Sequence, residues 1–343
     1  MPDYTYTTLS APTGASDIVP TAINDSGTVT GNYLDGSTGN YVGFVYSDGS
    51  FTTLSGPSGA YDVLPLAIND SGEVVGHYFL DSVQYGFIYS DGVFTAFAGP
   101  SGATNLSINS VNASGELTGN YVDSNSTEVG FIDDNGVYTV LPAPSGATNI
   151  IPVAINASGE VAGEYHDSSG NQLGFIYEDG VFTTLSGQEG ATNIKVDGLN
   201  DSGEVLINYG ESDGSGNVQQ VAATYNDGVY TALTGPTGAS DITPFGINNS
   251  GEVVASYTAS DGSTGNFVYD NGVYDTPAGP PGLGFETTAI NNSGDIAGGY
   301  LNILLRFENP KLGRIYDAEV IGDGIAVGLP IFGDIVAQKS ENG

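Results

Sequence analysis

Cysteine and tryptophan are absent from the sequence, methionine occurs once, and histidine twice. Without cysteine there are no disulfides, no thiolate metal ligands and no thiol nucleophile. Basic residues are almost as scarce: five Lys and Arg stand against 40 Asp and Glu, a formal net charge of -35. Phosphate backbones are gripped by Lys and Arg, so nucleic acid is excluded as a partner, and an anionic membrane surface with it. A chain of this charge repels itself and attracts cations. No apolar run reaches the roughly 18 residues of a membrane span, so no membrane insertion is expected. The opening residues Met1 to Thr5 are polar and acidic, which does not fit a Sec-type leader.

What the chain does have is repetition. The core Asn-x-Ser-Gly returns at Asn24, Asn69, Asn112, Asn156, Asn200, Asn248 and Asn291, at intervals of 45, 43, 44, 44, 48 and 43 residues. A fixed period in this range marks a repeat architecture, in which a unit too small to bury its own apolar face must stack on its neighbours.

The unit from Asp62 to Pro100 shows the pattern. Leu64 to Ile68 reads as a first strand. Asn69 to Gly72 is a turn, with Asn bonding its own backbone and Gly supplying a positive φ. Glu73 to Tyr78 is a second strand and Tyr85 to Tyr89 a third. Asp91-Gly92 signals a tight hairpin, and Val93 to Phe97 is the fourth strand. Four short antiparallel strands per period of about 44 residues predict a β-propeller blade. The density of Gly, Thr and Asn and the lack of a 3.6-residue period argue against helical repeats.

Comparison among the units assigns roles. The second strand alternates, with Val29, Gly31 and Tyr33 on one face, and Val74, Gly76 and Tyr78 in the next unit. This predicts a packed inter-blade face with glycine where the next sheet approaches. Tyr46, Tyr89, Tyr177, Tyr225 and Tyr269 recur at equivalent sites and read as packing residues rather than sugar-stacking platforms. The chain begins with a fourth strand, Tyr6 to Leu9, and ends its repeats without a regular third or fourth. The expected fold is therefore all-β: a seven-bladed β-propeller of four-stranded antiparallel blades, closed by the N-terminal strand on the outside of the last blade, with a divergent C-terminal tail. The expected division is 1-308 for the propeller and 309-343 for a separable tail. Four of the five basic residues, Arg306, Lys311, Arg314 and Lys339, lie in the last 43 residues. Ile303 to Phe307 is the candidate third strand of the last blade. Asp323-Gly324 reads as a hairpin between two apolar strands.

The string Ile-Asn-x-Ser-Gly-x-Val-x-Gly-x-Tyr, followed by Gly-Phe-Ile-Tyr-x-Asp-Gly-x-Phe-Thr-x-Leu and Gly-Pro-x-Gly-Ala, resembles the bacterial HAF-repeat family over about residues 4 to 300. The resemblance implies an extracellular propeller and no particular activity. The His-Ala-Phe that names the family is replaced here by Val42-Gly43-Phe44, Tyr85-Gly86-Phe87, Val129-Gly130-Phe131 and Leu173-Gly174-Phe175, so no histidine role carries over.

Candidate functional residues fall into three sets. On the second strand, the residue before the recurrent Tyr varies: Asn32, His77, Asn120, Glu164, Asn208, Ser256 and Gly299. A ring of blades turns these into a circle of mostly polar groups, either a ligand-facing ring or a site tolerant of polarity. The loops between second and third strands carry Asp35, Asp123, Asp167, Asp213 and Asp261 in Asp-x-Ser/Asn patterns. Alternating oxygens in such loops can hold Ca2+, while ordinary Asx turns explain them without any metal. The Asn-x-Ser triplets also match a glycosylation sequon, and turn chemistry accounts for them first. His77 and His166 occupy non-equivalent positions, and no Gly-x-Ser-x-Gly elbow is present, so no hydrolase triad is indicated. Blade five departs most, with Lys195-Val196-Asp197 in its first strand and a long loop from Gly210 to Gln220.

These features favour a secreted, non-enzymatic module that binds or scaffolds a surface glycan, a matrix polymer or a protein. One competing reading is a polysaccharide-acting enzyme with paired carboxylates at the channel mouth. Another is a structural particle that self-associates through the tail. The resemblance implies export, for which the tail from about Leu301 is the candidate uncleaved signal, with a cytosolic location as the alternative.

Overall fold

A computed structural model describes residues 4–9, 12–187, 191–212, 218–277, 284–301, 305–309, 314–321, 324–327 and 334–339. Among these residues every regular element is a β-strand.

Six blades are each built from four consecutive antiparallel strands. Their first strands are Ala15–Ile23, Tyr61–Ile68, Thr104–Val111, Thr148–Ile155, Ala191–Leu199 and Ser240–Ile247. Each first strand bulges twice against the second, for example between Ser16 and Val19 and again between Pro20 and Ala22. The first bulge is held by a residue in the left-handed region, and all six such residues are Asp or Asn: Asp17, Asp62, Asn105, Asn149, Asn193 and Asp241, with φ between 48° and 54°. Asx residues tolerate this region better than other non-glycines, which is why that position is never apolar. Third and fourth strands join through two-residue turns such as Asp48-Gly49, with φ of 50° and 76°. Two positive φ values make a type I′ turn, whose twist matches the flanking strands.

The seventh four-stranded sheet is composite. Its order is Tyr4–Leu9, Asp334–Lys339, Ile296–Leu301, Gly284–Ile290. The N-terminal strand forms its outer edge, with Tyr4 opposite Lys339 and Leu9 opposite Asp334. The count of seven units thus resolves into six blades of contiguous chain and one closing sheet gathered from both ends. Two tail expectations are corrected here. The third strand of the closing sheet is Asp334–Lys339; of the expected segment Ile303 to Phe307, Ile303 and Leu304 lie outside the described residues, and Leu305–Asn309 pairs with Arg314–Ile321 in a separate three-stranded sheet. The division at 308/309 therefore cuts through the closing sheet, because an inner strand of that sheet comes from beyond it. The expected hairpin around Asp323-Gly324 has its strands in place, with Val320 opposite Ile325.

The core lies between blades and repeats with them. Phe44, Phe87, Phe131, Phe175 and Phe267 are fully buried. In three blades the third-strand Phe stacks on a fourth-strand Phe, with Phe44–Phe51, Phe87–Phe94 and Phe175–Phe182 centroids all 4.7 Å apart. The recurrent tyrosines pack as expected. Tyr46 is buried, and Tyr89, Tyr177, Tyr225 and Tyr269 are half-buried against the blade clusters.

The second-strand glycine needs a different reason from the one its pattern suggests. A Cβ on Gly31 would sit 2.2 Å from the backbone oxygen of Val19, and one on Gly76 would sit 2.1 Å from that of Leu64. The obstacle is the blade's own bulged first strand. The glycine that admits the next blade lies on the third strand, where a Cβ on Gly43 would meet Pro65 at 3.0 Å and one on Gly86 would meet Ile108 at 3.0 Å.

Candidate functional site: the axial mouth

The first-to-second-strand turns gather around the axis. In each, the Gly N–H donates to the Asn carbonyl, as Gly27 does to Asn24 at 3.0 Å. The Asn side-chain oxygen collects further donors. In blade four it accepts from Ser158 N, Ser158 Oγ and Glu160 N at 3.1, 2.8 and 3.0 Å. The Nδ2 group then has two hydrogens to place. In six of the seven turns one goes to the turn's own carboxylate, as Asn156 Nδ2 to Glu160 Oε2 at 2.9 Å. The other crosses to the next blade.

Those crossings form a closed circuit. Asn24 donates to the backbone oxygen of Asn69, Asn69 to Asn112, Asn112 to Asn156, Asn156 to Asn200, Asn200 to Asn248, and Asn248 to Asn291, all between 3.0 and 3.2 Å. Asn291 returns to Asn24 at 2.9 Å. All seven side chains are buried, with exposures of 3% to 6%. Only Asn provides an acceptor for its own turn and two donors for its neighbours at this length. Buried Nδ2 groups so engaged are not available as glycosylation acceptors.

A second circuit runs outside the first, at the residue after each Asn. The Asp25 N–H donates to Asp70 Oδ1 at 3.0 Å, Ala157 N–H to Asp201 Oδ1 at 2.8 Å, and Asp201 N–H to Asn249 Oδ1 at 2.9 Å. Asn249 N–H donates to Asn292 Oδ1 and Asn292 N–H to Asp25 Oδ1, both at 2.8 Å. Within this rim lies a cavity of about 230 Å³. Its lining also includes the apolar residues Ile23, Val111, Ile155 and Leu199, although the surface it exposes is mainly polar. Three rim residues are acidic, Asp25, Asp70 and Asp201. Asp25 and Asp201 use both oxygens as acceptors, the second taking Asn292 Nδ2 at 3.0 Å and Asn249 Nδ2 at 2.6 Å.

The polar residues singled out on the second strand do not line this cavity, and of them His77 and Glu164 reach the next blade. His77 Nδ1 meets Ser107 Oγ of the next blade at 3.2 Å. Burial lowers the His77 pKa. Asn120 accepts from Asn109 at 2.8 Å and donates to Glu128 at 2.6 Å. Glu164 accepts the Val196 N–H at 2.9 Å and the Gln172 amide at 2.6 Å, and burial raises its pKa. Asn32, Asn208 and Ser256 are half-buried at equivalent register, opposite Val19, Lys195 and Thr243. Each of the three hydrogen-bonded members meets its own partners, and no bond links one member of the set to another.

Four of the five loop aspartates organise Asx turns. Asp35 accepts from Ser37 N–H and Oγ, Asp123 from Asn125 and Thr127, Asp167 from Ser169 and Asn171, and Asp261 from Ser263. These bonds hold all four carboxyls below their ordinary pKa. Asp213 lies outside the described residues. No group of three or more His, Asp or Glu among the described residues is arranged to hold a metal ion. These loops share a face with the Gly-Pro-x-Gly-Ala connections, as the bond from Gly36 N–H to the Gly14 oxygen shows at 3.1 Å. The axial mouth opens on the opposite face, with the two-residue hairpins: Thr28 in the first turn meets Ser47 beside its hairpin at 3.1 Å.

Blade five places Lys195 and Asp197 on the innermost strand, joined at 2.8 Å, with the Lys side chain 60% exposed and the Asp side chain 6%. Asp197 Oδ2 is buried without a hydrogen-bond partner.

The rim residues were not singled out by sequence reasoning, although a signal existed. In Asn-x-Ser-Gly the x position is the one that changes, reading Asp, Asp, Ala, Ala, Asp, Asn, Asn around the ring.

No protein-family model matches the chain, and no curated protein matches it in sequence. Solved structures do match in fold. The β-propeller domain of the Trilobed protease from Pyrococcus furiosus, described as having an open velcro topology, aligns with a TM-score of 0.57 at 10% identity, covering 91% of this chain and 96% of that one. A prolyl endopeptidase aligns at 0.59 and 10% identity over 92% of this chain and 50% of that one. An acylaminoacyl peptidase from Pyrococcus horikoshii aligns at 0.56 and 11% identity over 91% and 52%. The chain spans about half the length of these two peptidases. The likeness establishes a β-propeller.

Proposed function

We propose that this chain is an exported, seven-bladed propeller of the HAF-repeat type, with the composite sheet as its seventh blade, and that it acts as a binding or scaffolding module for a surface glycan or matrix polymer. The observation that carries this reading is the axial mouth. A closed axial circuit and a partial rim circuit fix seven turns around a cavity of about 230 Å³ whose exposed surface is mainly polar, edged by amides and carboxylates. A preorganised cavity whose exposed surface is mainly polar suits recognition of a small polar unit such as a sugar. The fold is shared with propellers of peptidases, and that likeness lends no substrate to this chain.

A polysaccharide-cleaving enzyme would need one rim carboxyl to deliver a proton while a second acts as base or nucleophile. Asp25 and Asp201 each commit both oxygens to accepting N–H groups of the rim, which ties them to a structural use. Ca2+ in the Asp-x-Ser/Asn loops would add to a glycan site on the opposite face.

The test is a glycan array with the full-length chain, run with Ca2+ and with chelator. Binding to a defined glycan class supports the module. Release of reducing ends from any retained glycan replaces it with the enzyme reading, and silence across the array removes the glycan.

A further inference from the structure

The rim circuit is incomplete, and its gap has a definite chemistry. Five of its seven amides donate to a side-chain oxygen on the next blade. The remaining two belong to Asp70 and Ala113. Their acceptors would come from residues 113 and 157, which are both alanine and have no side-chain oxygen to offer. Among the described residues neither amide meets an acceptor. The two are on adjacent blades, and Asp70, Ala113 and Ala157 all line the axial cavity.

At the other five positions the acceptor is a carboxylate or carboxamide oxygen. A ligand that carries an oxygen of that kind would complete the circuit at these two exposed positions. Charge decides between the two forms. The rim holds Asp25, Asp70 and Asp201 and no cation, in a chain of net charge -35. A ligand carboxylate would be repelled, while a neutral amide carbonyl keeps the hydrogen-bonding capacity without the charge. The alanines that remove the acceptors also leave methyl groups beside the gap, and Val111 and Ile155 line the same cavity. An amide carbonyl next to a methyl group is an acetamido group.

We propose that the axial mouth at blades two to four binds the acetamido group of an N-acetylated sugar. Its carbonyl accepts from Asp70 N–H and Ala113 N–H, and its methyl rests against Ala113 and Ala157. This deepens the glycan-binding reading and rests on it for the source of the amide; an N-acetylated peptide end is the other source of the same chemistry.

The experiment titrates the full chain, by calorimetry and by ligand-observed NMR, with N-acetylglucosamine, its β-1,4 disaccharide, glucose and N-acetylalanine amide. The same titrations are run on A113N/A157N and on A157N. The double variant installs the side chains that stand at residues 249 and 292, so it completes the circuit without altering charge. N-acetylated sugars should bind the parent chain and glucose should not. Affinity should fall at least tenfold in the double variant and by less in A157N, which caps only the Ala113 amide. Thermal midpoints should hold or rise, which separates loss of binding from loss of fold. Equal affinity of parent and double variant overturns the site while leaving glycan binding on the array intact. Binding of glucose as tightly as the N-acetylated sugar overturns it as well. Preference for the peptide amide over the sugar overturns the sugar assignment, and absence of binding to any of the four probes overturns the whole proposal.

Discussion

Asn291 donates its side-chain amide to the backbone oxygen of Asn24 at 2.9 Å, across 267 residues of sequence. This bond joins the seventh turn to the first. It is the same bond that joins each other turn to its successor, so the ring closes at the axis by repeating one interaction. At the periphery it closes by strand pairing between Tyr4–Leu9 and Asp334–Lys339.

The axial circuit predicts a sharp dependence on asparagine. Asn156 is 3% exposed and places both Nδ2 hydrogens, one on the Asn200 oxygen and one on Glu160. N156D turns two donors into acceptors and sets a buried carboxylate against Glu160. The expected loss is about 3 kcal/mol or more, from stranded buried acceptors and an unpaired buried charge. Urea unfolding of parent and variant measures it. A loss below 1 kcal/mol would show that the circuit contributes little to stability.

The closing sheet predicts that the tail cannot be removed cleanly. Sequence pattern alone favours a separable segment after Arg314, with truncation at Gly313 leaving the propeller folded. The pairing of Asp334–Lys339 with both Ile296–Leu301 and the N-terminal strand gives the opposite expectation. Truncation at Gly313 removes an inner strand and orphans the N-terminal edge. It should lower the thermal midpoint as much as deletion of residues 1 to 10, and the two deletions together should add little, since each disables the same sheet. Calorimetry of the three truncated chains checks this, and full retention of the parent midpoint after either single deletion contradicts it.

Blade architecture was legible because each turn and hairpin is encoded locally, by Asx-Gly at positive φ and by apolar alternation. The Asn-x-Ser-Gly turn was legible for the same reason, but its blade-to-blade bond was not: a period in sequence does not say which groups meet across 44 residues. The second-strand polar set shows the converse. Asn120 and Glu164 look like a ring when units are aligned, yet each is engaged by its own partners, Asn109 of the same blade and Val196 of the next. The Gly31 position was recognised as crowded, and the crowding atom, the Val19 oxygen, depends on a bulge that periodicity does not reveal. The tail strand was missed because it carries none of the repeat signature and pairs by position alone.

Blade five offers a stabilising substitution. Asp197 occupies the register position of Thr21 and Asn109, whose side chains donate to the Pro65 and Pro152 oxygens of the next blade at 3.0 and 2.7 Å. A carboxylate cannot donate there, and Asp197 Oδ2 is left buried without a partner. D197N supplies the donor. It gives up an ion pair to a Lys195 side chain that is 60% exposed, a contact worth little. The expected result is a gain of about 1 kcal/mol in denaturant unfolding. A loss of similar size would mean that the ion pair with Lys195, not the blade-to-blade donor, decides this position.

The pH dependence follows from two opposed groups of carboxyls. Burial raises the pKa of Glu73 and Glu160 beside the axial asparagines and of Glu164 in the seam. A carboxyl whose folded pKa exceeds its unfolded value binds more protons when folded, so its contribution falls as pH rises from the unfolded value through the folded one. The loop carboxyls Asp35, Asp123, Asp167 and Asp261 are shifted down by their Asx-turn bonds. Their contribution is present above the unfolded value and is lost as pH falls through the folded one. The two limbs meet near the ordinary carboxylate values, so stability should peak at about pH 4 to 5. Self-repulsion within a chain of net charge -35 steepens the alkaline limb, and added salt should relieve that part alone. Thermal melts from pH 3 to pH 8 at two ionic strengths resolve the terms. E160Q should flatten the alkaline limb at both, because it removes a buried titrating group rather than a screened surface charge. A stability maximum at neutral pH, unmoved by E160Q, would mean that the buried glutamates are ionised at no cost and that the axial circuit is more hydrated than its geometry indicates.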